Sequence, residues 1–538
     1  MKRRAERARV NETRVKPPME FRLTRSHRVR LVGEGTLVGL AVGLIIAAYR
    51  FFLHHAEELL RYVVAFLQLH GVAVLLWFLV LGVLMLVVGK LMLLEPYTQG
   101  SGIPQTDAEV AGRIDMPWMR VLPIKFVEGV LCAFAGLSLG REGPSVQLGA
   151  VAGKGVSRAL RNDRSHERLL VTCGAAAGMS AAFHAPLTGV LFALEEIHRE
   201  FNAPLVISVM ASSVVADYVS SQILGTSPVI HFVVFSEIPH ELYLSVLLMG
   251  IYCGMAGWAH NKLMFGVQDR LFGPLERFSP YVRLAIPFAL AGIVALLWPD
   301  LLCGGDAIVE HVKQAGSEPV SLLFFLLIGK MLFTSICFGS GAPGGTLFPL
   351  VVMGALLGAL YGAGVTPVAN ISGLYENSFI VLGIAGLFSA VIQAPVTAVV
   401  LVFELTGSLD ALLATTVVSV LSYVCASLLK TEPYYEHLYA RMMGDATGED
   451  AEKQLPTHDT KVLHAYTVGV GSAIDGHAVR EIAWPEGSLV VTVTRAGLEL
   501  VPNGDSRLEA FDEICVVMGG KSEIDDDAAL KALCAAND

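Results

Sequence analysis

The run from Gly140 to Ser145 carries the clearest chemistry in the sequence. It reads Gly-Arg-Glu-Gly-Pro-Ser and lies between two apolar stretches. A carboxylate at membrane depth is costly, so Glu142 is predicted to be a functional residue. Pro144 suits the first turn of a helix, where unpaired N–H groups favour anions. Glu142 would place its charge where a mobile anion could also bind, which predicts a gate that competes with that anion.

Glycine and proline interrupt other apolar segments as well. Breaks occur at Gly100–Pro104, Ala185-Pro186 and Gly339–Pro349. Irregular backbone at membrane depth is tolerated only where it is buried or lines a polar cavity, so these breaks indicate a transporter or channel. A membrane-embedded enzyme is disfavoured, because no His-Glu-x-x-His pattern is present and no serine has an evident partner base.

The composition is typical of a polytopic membrane protein. The 538 residues are 54% hydrophobic and 16% charged, with a mean hydropathy of +0.58. The first 30 residues carry eleven Lys/Arg against three Glu, which predicts a basic cytoplasmic segment at 1–28 that suits lipid rather than nucleic acid. The eight cysteines show neither CxxC nor zinc spacing, so no metal or cofactor is predicted.

An internal repeat divides the apolar part of the chain. Ala-Pro-Leu-Thr at 185–188, followed by Glu195, recurs as Ala-Pro-Val-Thr at 394–397, followed by Glu404. Two related halves with interrupted helices point to a site at their interface. We place these halves at about 29–222 and 240–430. Apolar runs of 19 residues, such as Gly71–Gly89 and Ala411–Leu429, are long enough to span a membrane.

The character of the sequence changes after Arg441. A polar, acidic stretch at 442–461 is interpreted as a linker, and 462–520 as a small soluble domain. Apolar and polar residues alternate within that domain, as in Leu489–Val493, and this pattern predicts strands. The last residues, 521–538, form an acidic tail.

Three motifs together resemble those of the CLC family of chloride channels and chloride/proton exchangers. They are Gly-Ser-Gly-Ile-Pro at 100–104, Gly-Arg-Glu-Gly-Pro at 140–144, and Gly-Ser-Gly-Ala-Pro-Gly-Gly at 339–345 leading to Phe348-Pro349. The resemblance covers 29–441. It implies an all-α polytopic membrane fold, built as a CLC-type inverted repeat of broken and tilted helices.

The resemblance also implies which groups hold a dehydrated chloride. Ser101 would supply its hydroxyl, Thr346 and Leu347 their backbone amides, and Tyr435 its phenol, with Tyr434 as the alternative. The other residues that it implies around the anion are Gly102, Ile103, Arg141 and Gly143. Neutral donors of this kind stabilise an anion without trapping it.

Two glutamates decide between transport mechanisms. Glu142 corresponds to the family's external gating glutamate. Glu196 corresponds to the internal glutamate that receives protons in proton-coupled members and that channel-type members commonly lack. Their joint presence favours chloride/proton antiport, and the alternative is a gated chloride channel without proton coupling. Glu195 is expected at the aqueous mouth, and the basic Lys125 is expected to be structural or to tune the local potential.

The sequence departs from the family pattern at two positions. Leu347 stands where an aromatic residue is usual, which leaves an amide contact intact but alters the constriction around the ion. His184 stands where asparagine is usual, and we interpret it as a polar helix-packing residue. No substitution at the Ser101 position resembles those of nitrate-preferring or fluoride-preferring relatives, so chloride is the expected anion.

The C-terminal segment resembles a TrkA-C domain, through features such as Val468-x-x-Gly-Ser, Ile482–Gly487 and Val501–Gly504. This resemblance implies a cytoplasmic α+β module that binds a small cytosolic ligand, and a module that merely stabilises a dimer remains an alternative. The resemblances together imply a multi-pass homodimer in a prokaryotic plasma (inner) membrane, with both termini cytoplasmic, that transports chloride ions and protons.

Overall fold

The computed structural model describes two compact units, which divide between Met442 and Met443. The described residues of the first unit and its last helix are 25–199, 203–225, 238–313, 318–368, 376–407 and 411–446. Those of the second unit are 462–469, 471–485, 488–495, 498–518, 530–531 and 533–534. Most of the predicted basic segment, linker and acidic tail lies outside the described residues.

The first repeat is helical and contains several short or broken helices. Its helices are α1 (Arg25–Leu69), α2 (Gly71–Leu94), α3 (Ile103–Val110), α4 (Trp118–Phe134), α5 (Glu142–Ala159), α6 (Arg164–Phe183), α7 (Pro186–Phe192) and α8 (Ala203–Leu224). A π-helical segment, Ala193–His198, continues directly from α7. Prolines at the first or second position of α3 and α7 fit helix starts, because the missing N–H has no intrahelical acceptor there.

The second repeat follows the same plan. Its helices are α9 (Tyr243–Val267), α10 (Pro280–Leu297), α11 (Asp306–Lys313), α12 (Val320–Gly339), α13 (Leu347–Val368), α14 (Glu376–Ile392), α15 (Pro395–Thr406), α16 (Leu412–Leu428) and α17 (Tyr434–Ala446). The two tetrapeptides that revealed the repeat begin α7 and α15, each with its proline at the helix start. The last helix, α17, continues past the predicted linker boundary.

Within the described residues, seven helices are long and apolar enough to cross a membrane. The predicted run Gly71–Gly89 lies in α2, which is one of the seven, whereas the run Ala411–Leu429 corresponds to α16, a shorter apolar helix that is not among them. Val72 and Leu75 of α2 are 92% and 80% exposed, which suits side chains that face lipid. The chain is therefore a multi-pass membrane protein with a mostly helical fold.

Glycines let two equivalent helix pairs pack closely. A Cβ on Gly149 of α5 would lie 2.1 Å from the carbonyl oxygen of Gly174 on α6. In the second repeat, a Cβ on Gly358 of α13 would lie 2.2 Å from the carbonyl oxygen of Phe379 on α14. Small residues at such crossings let backbones approach, as is common between membrane helices. These contacts hold α5 against α6 and α13 against α14.

Charged residues in the second half of α5 form ion pairs with neighbouring segments. Lys154 lies in α5 and is fully buried, where it forms ion pairs with Glu109 and Asp115. Arg158, one turn later, pairs with Asp115 at 2.8 Å and Glu167 at 2.9 Å. Only residues 160–163 connect α5 to α6.

The second unit contains a four-stranded antiparallel sheet. Its strands are β1 (Val462–Thr467), β2 (Leu489–Arg495), β3 (Leu498–Leu500) and β4 (Glu513–Met518), in the order β1-β4-β2-β3. A register shift occurs between Val490 and Thr492. The strand predicted from the alternation at Leu489–Val493 is confirmed as part of β2. The apolar sides of these strands form a small core of their own.

Candidate functional site

The three glycine-rich motifs meet although they are far apart in the sequence. Gly100 donates its N–H to the carbonyl of Gly341 at 3.0 Å and accepts from the N–H of Gly344 at 3.0 Å. Gly140 and Gly345 exchange two backbone hydrogen bonds, of 2.6 and 2.8 Å. These bonds fix the starts of α3, α5 and α13 around one point.

The loop before α3 prepares Ser101 to act as a donor. Gly102 has φ of 93°, a left-handed conformation that glycine adopts without strain. This turn lets the Ser101 hydroxyl oxygen accept from the N–H of Ile103 at 3.1 Å. The hydroxyl hydrogen of Ser101 thus remains available to an anion. Lys125 supports the loop, because its ammonium group donates to the carbonyls of Thr98 and Gly100 at 2.7 Å each.

The Glu142 carboxylate occupies the N-terminus of α13. Its Oε1 accepts from the N–H of Phe348 at 2.7 Å, and its Oε2 is buried with no hydrogen-bond partner in the described part of the chain. Two glycines make room for this carboxylate: a Cβ on Gly140 would lie 2.1 Å from Oε1, and one on Gly345 would lie 2.9 Å from it. The side chain therefore places its carboxyl group where the helix end favours an anion.

The two adjacent tyrosines at the start of α17 have different environments. Thr346 donates its hydroxyl to the Tyr434 hydroxyl at 3.0 Å. The Tyr435 hydroxyl is buried and has no partner among the described residues. The ring of Phe192 packs edge-on against that of Tyr435, with centroids 5.9 Å apart. Tyr435 is thus held in place with its hydroxyl uncommitted, whereas Tyr434 is engaged.

The remaining predicted residues shape the same site. Gly143 permits a close approach, since a Cβ there would lie 2.7 Å from the Ser101 carbonyl and 3.1 Å from the Gly345 Cα. The Arg141 guanidinium lies 5.5 Å from the centroid of the Phe348 ring. Leu347 is fully buried as the first residue of α13. Its backbone N–H acts on the Glu142 carboxylate together with the closer N–H of Phe348.

Glu196, like Glu142, lies near Tyr435. It belongs to the π-helical segment and is 8% exposed, and π-helical turns often occur at functional sites. The charges of both Glu142 and Glu196 act on the Tyr435 hydroxyl. At the more exposed end of this segment, Arg199 forms ion pairs with Asp107 at 3.8 Å and Glu436 at 3.0 Å.

Glu195, which is expected at the aqueous mouth, is half-exposed and caps a helix of the other repeat. Its Oε2 accepts from the N–H of Thr397 at 2.8 Å and from the Thr397 hydroxyl at 2.6 Å, at the start of α15. Glu404 does the same in return, accepting from the N–H of Thr188 at 2.7 Å and from its hydroxyl at 2.6 Å, at the start of α7. Each repeat therefore caps a helix of the other.

His184 has the packing role predicted from the sequence. It ends α6 in a left-handed conformation, with φ of 59°. Its Nδ1 lies 2.8 Å from an Asp217 carboxylate oxygen and 2.9 Å from the Ser221 hydroxyl, both on α8. This side chain joins α6 to α8.

Sequence reasoning missed the structural roles of Glu404 and Lys330. Lys330 donates to the carbonyls of Leu301 and Cys303, at 3.1 and 2.6 Å, as Lys125 does in the first repeat. The internal repeat could have revealed both roles, because a residue that supports a helix break in one half has a counterpart in the other half.

The acidic group Glu109, Asp115 and Glu167 resembles a cation site by spacing, but Lys154 and Arg158 already compensate its charge.

Known proteins share this architecture. The family model described as voltage gated chloride channel matches residues 83–427, and the TrkA-C domain model matches 463–526. The H(+)/Cl(−) exchange transporter ClcA of Salmonella agona is 32% identical over 427 residues, which cover 78% of this chain and 89% of that protein. ClcA of Citrobacter koseri is 33% identical over the same coverage.

Solved structures agree with these sequence relationships. A slow cyanobacterial Cl−/H+ antiporter superposes with a TM-score of 0.72 at 28% identity, covering 77% of this chain and 98% of the other. A CLC-type fluoride/proton antiporter superposes with a TM-score of 0.60 at 21% identity, covering 75% and 96%. The second of these similarities concerns the fold alone.

Proposed function

Because the chain belongs to the CLC family of voltage-gated chloride channels and exchangers, with a TrkA-C domain at its C-terminus, we propose that it exchanges chloride for protons across a membrane. Glu142 acts as the gate and Glu196 as the internal proton-transfer residue. The exchange activity of the ClcA relatives and of the cyanobacterial antiporter supports this proposal. The protein then works as a secondary transporter and not as an enzyme.

The observation that carries the proposal is the position of the Glu142 carboxylate. It accepts from the Phe348 N–H at the start of α13, and the nearby Ser101 and Tyr435 hydroxyls each retain a hydrogen to donate. A chloride at this helix end would use the same amide as the carboxylate. Chloride and ionised Glu142 therefore compete, and a proton on Glu142 releases the amide for the anion.

Glu196 gives the proton a second acceptor near Tyr435. A buried carboxylate beside a transport site is expensive to keep, which favours a role in moving charge. The Arg199 ion pairs with Asp107 and Glu436 lie at the more exposed end of the same segment. In this proposal, protons pass from the exposed end of the segment near Arg199 to Glu196 and then to Glu142. Chloride passes by the Tyr435 hydroxyl.

The test uses full-length protein reconstituted into liposomes with a chloride gradient and no proton gradient. An ionophore fixes the voltage and an electrode records external pH. We expect chloride to drive protons uphill, and we expect Glu142→Ala to retain chloride flux without proton movement. Glu196→Gln should also stop proton movement while chloride flux continues. Proton coupling that persists in Glu142→Ala would refute the assignment of the gate.

A gated chloride channel is the competing function, since the family includes channels. The two differ in the reversal potential measured in a pH gradient. An exchanger shifts its reversal potential with the proton gradient, whereas a channel ignores it. Chloride flux with no such shift would make this a channel and would leave Glu196 as a charge at a helix end.

The family relationship also suggests the assembly and location. We expect a homodimer with one pathway per subunit, in a prokaryotic inner membrane, with both termini and the TrkA-C domain in the cytoplasm. Light scattering on the purified protein would test the mass of the dimer. The C-terminal domain would bind a small cytosolic ligand, and deletion of residues after Ala446 should then change flux or its response to cytosol.

A further inference from the structure

Glu128 is a buried acid that the proposed transport cycle does not use. It lies on α4 and is fully buried. Neither carboxylate oxygen has a hydrogen-bond partner among the residues that the structure describes. An ionised carboxylate without partners in such a place is costly. An intramembrane carboxyl of this kind suggests a function, and a bound proton would remove its cost.

The groups that face Glu128 are few. Lys125 lies one turn earlier on the same face of α4, and its N–H donors serve the carbonyls of Thr98 and Gly100 instead of the carboxylate. Glu95 is the other charged group that acts on Glu128, and the Cys132 thiol lies on the same helix. The Thr98 hydroxyl also lies close to Glu128, but it donates its one hydrogen to the Glu95 carbonyl at 2.8 Å and so leaves the carboxyl without a donor. The only cation in this set is Lys125.

Lys125 connects Glu128 to the anion loop. Its ammonium group is bonded to the carbonyl of Gly100, the residue directly before Ser101. The positive charge of Lys125 therefore favours an anion at Ser101, and a negative Glu128 would oppose it. When Glu128 holds a proton, the field of Lys125 at the loop is unopposed. A proton at Glu128 and an anion at Ser101 thus stabilise each other.

We propose that Glu128 is a further proton-binding site, separate from Glu142 and Glu196, whose proton and the chloride at the Ser101 loop bind cooperatively. This inference rests on the proposed binding of chloride at that loop. Because such coupling is reciprocal, chloride binding draws a proton onto Glu128, and protonation of Glu128 tightens chloride binding. The site takes only a proton, since the carboxyl is enclosed on all sides.

The test measures chloride binding to full-length detergent-purified protein by titration calorimetry between pH 5.5 and 8.5. The parent protein carries Glu142→Gln, so that the gate no longer titrates. We expect its affinity for chloride to fall about tenfold as the pH rises. A tenfold change is the order of magnitude expected when a unit charge acts on the anion over about 10 Å at an effective dielectric constant of about 20. With Glu128→Gln added, chloride should bind tightly at every pH.

Two further variants of this parent isolate Glu128. Glu95→Gln and Glu196→Gln each remove another acid, and both should retain the pH dependence. Calorimetry of the parent in buffers of different ionisation enthalpy should show that a fraction of a proton is taken up per chloride bound. That uptake requires no variant at Glu128, so it tests the proposal even if Glu128→Gln folds poorly.

Opposite results would overturn the proposal in distinct ways. Equal pH dependence with and without Glu128→Gln, or no proton uptake with chloride, would refute the role of Glu128. Loss of the pH dependence in Glu196→Gln would transfer the role to that residue. A parent that binds no chloride at any pH would refute the proposed function itself.

Discussion

Two neighbouring tyrosines at the start of α17 differ in their hydrogen bonding, and we expect them to have different roles. Tyr434 accepts a hydrogen bond from Thr346, whereas the Tyr435 hydroxyl has no partner in the described chain. Tyr435→Phe should weaken chloride binding about fivefold, as expected for one hydrogen bond of about 1 kcal/mol. Titration calorimetry checks this. Tyr434→Phe is the matched control: it should lower the thermal unfolding temperature and change chloride affinity less.

A single glycine sets the position of the Glu142 carboxylate, the proposed gate. A Cβ at Gly140 would lie 2.1 Å from Glu142 Oε1, so Gly140→Ala should displace the carboxylate from the Phe348 N–H. We expect a smaller proton-to-chloride ratio in liposomes, in the direction of Glu142→Ala. If the alanine acts through the carboxylate, adding it to Glu142→Ala should change nothing more. A further fall in chloride flux in the double variant would contradict this explanation.

The helix starts at α7 and α15 depend on residues from the opposite repeat. Glu404 accepts from Thr188 of α7, and Glu195 from Thr397 of α15. Each carboxylate caps a helix N-terminus, where negative charge is stabilising. Glu195→Gln and Glu404→Gln should each destabilise the protein by about 2 kcal/mol, the scale of hydrogen bonds to a charged group. Thermal unfolding in detergent measures both.

The symmetry of these caps supplies the control for that experiment. The two glutamines should cause similar losses, because the bonds to Thr188 and Thr397 have nearly the same lengths. A large loss of stability for one variant and none for the other would show that the caps are unequal.

Two lysines show the same symmetry between the repeats, since Lys125 and Lys330 each donate to a pair of carbonyls before a short helix.

The molecule as a whole consists of units that respond to pH for different reasons. In the C-terminal domain, Arg495 donates to both carboxylate oxygens of Asp512 at 2.8 Å each. This guanidinium holds the pKa of Asp512 below its usual range. Since the pKa is depressed in the folded state, the stabilisation is present above the ordinary value of about 4 and is lost as pH falls through the lower folded value.

This pairing predicts an acid-sensitive C-terminal domain. Asp512→Asn should reduce its stability at pH 7 by about 2 kcal/mol and remove the corresponding loss on acidification. Hydrogen exchange across 462–518 in the full chain reports this. The exposed neighbour Glu513 provides a matched control, and Glu513→Gln should leave exchange unchanged. Equal protection in wild type and Asp512→Asn would contradict the role of the pair.

Local motifs predicted more of the site than of the contacts that hold it. Gly-rich runs marked the starts of α3, α5 and α13, because breaks of this kind have a strong composition signal. The partner of Glu142 was less accessible, because its bond to the Phe348 N–H depends on how the starts of α5 and α13 meet in three dimensions. The capping role of Glu195 depends on Thr397 of the other repeat, and only the tertiary structure shows such a pairing.

The exchanged caps also constrain the order in which the protein can be made. The carboxylate that accepts from Leu187 at the start of α7 belongs to a residue 217 positions later. During synthesis, the first repeat is inserted while that helix end still lacks its partner. The start of α7 can form its final hydrogen bonds only after Glu404 has left the ribosome. The two halves of the gene product are therefore obliged to mature together, and a chain interrupted before Glu404 leaves its first half unfinished.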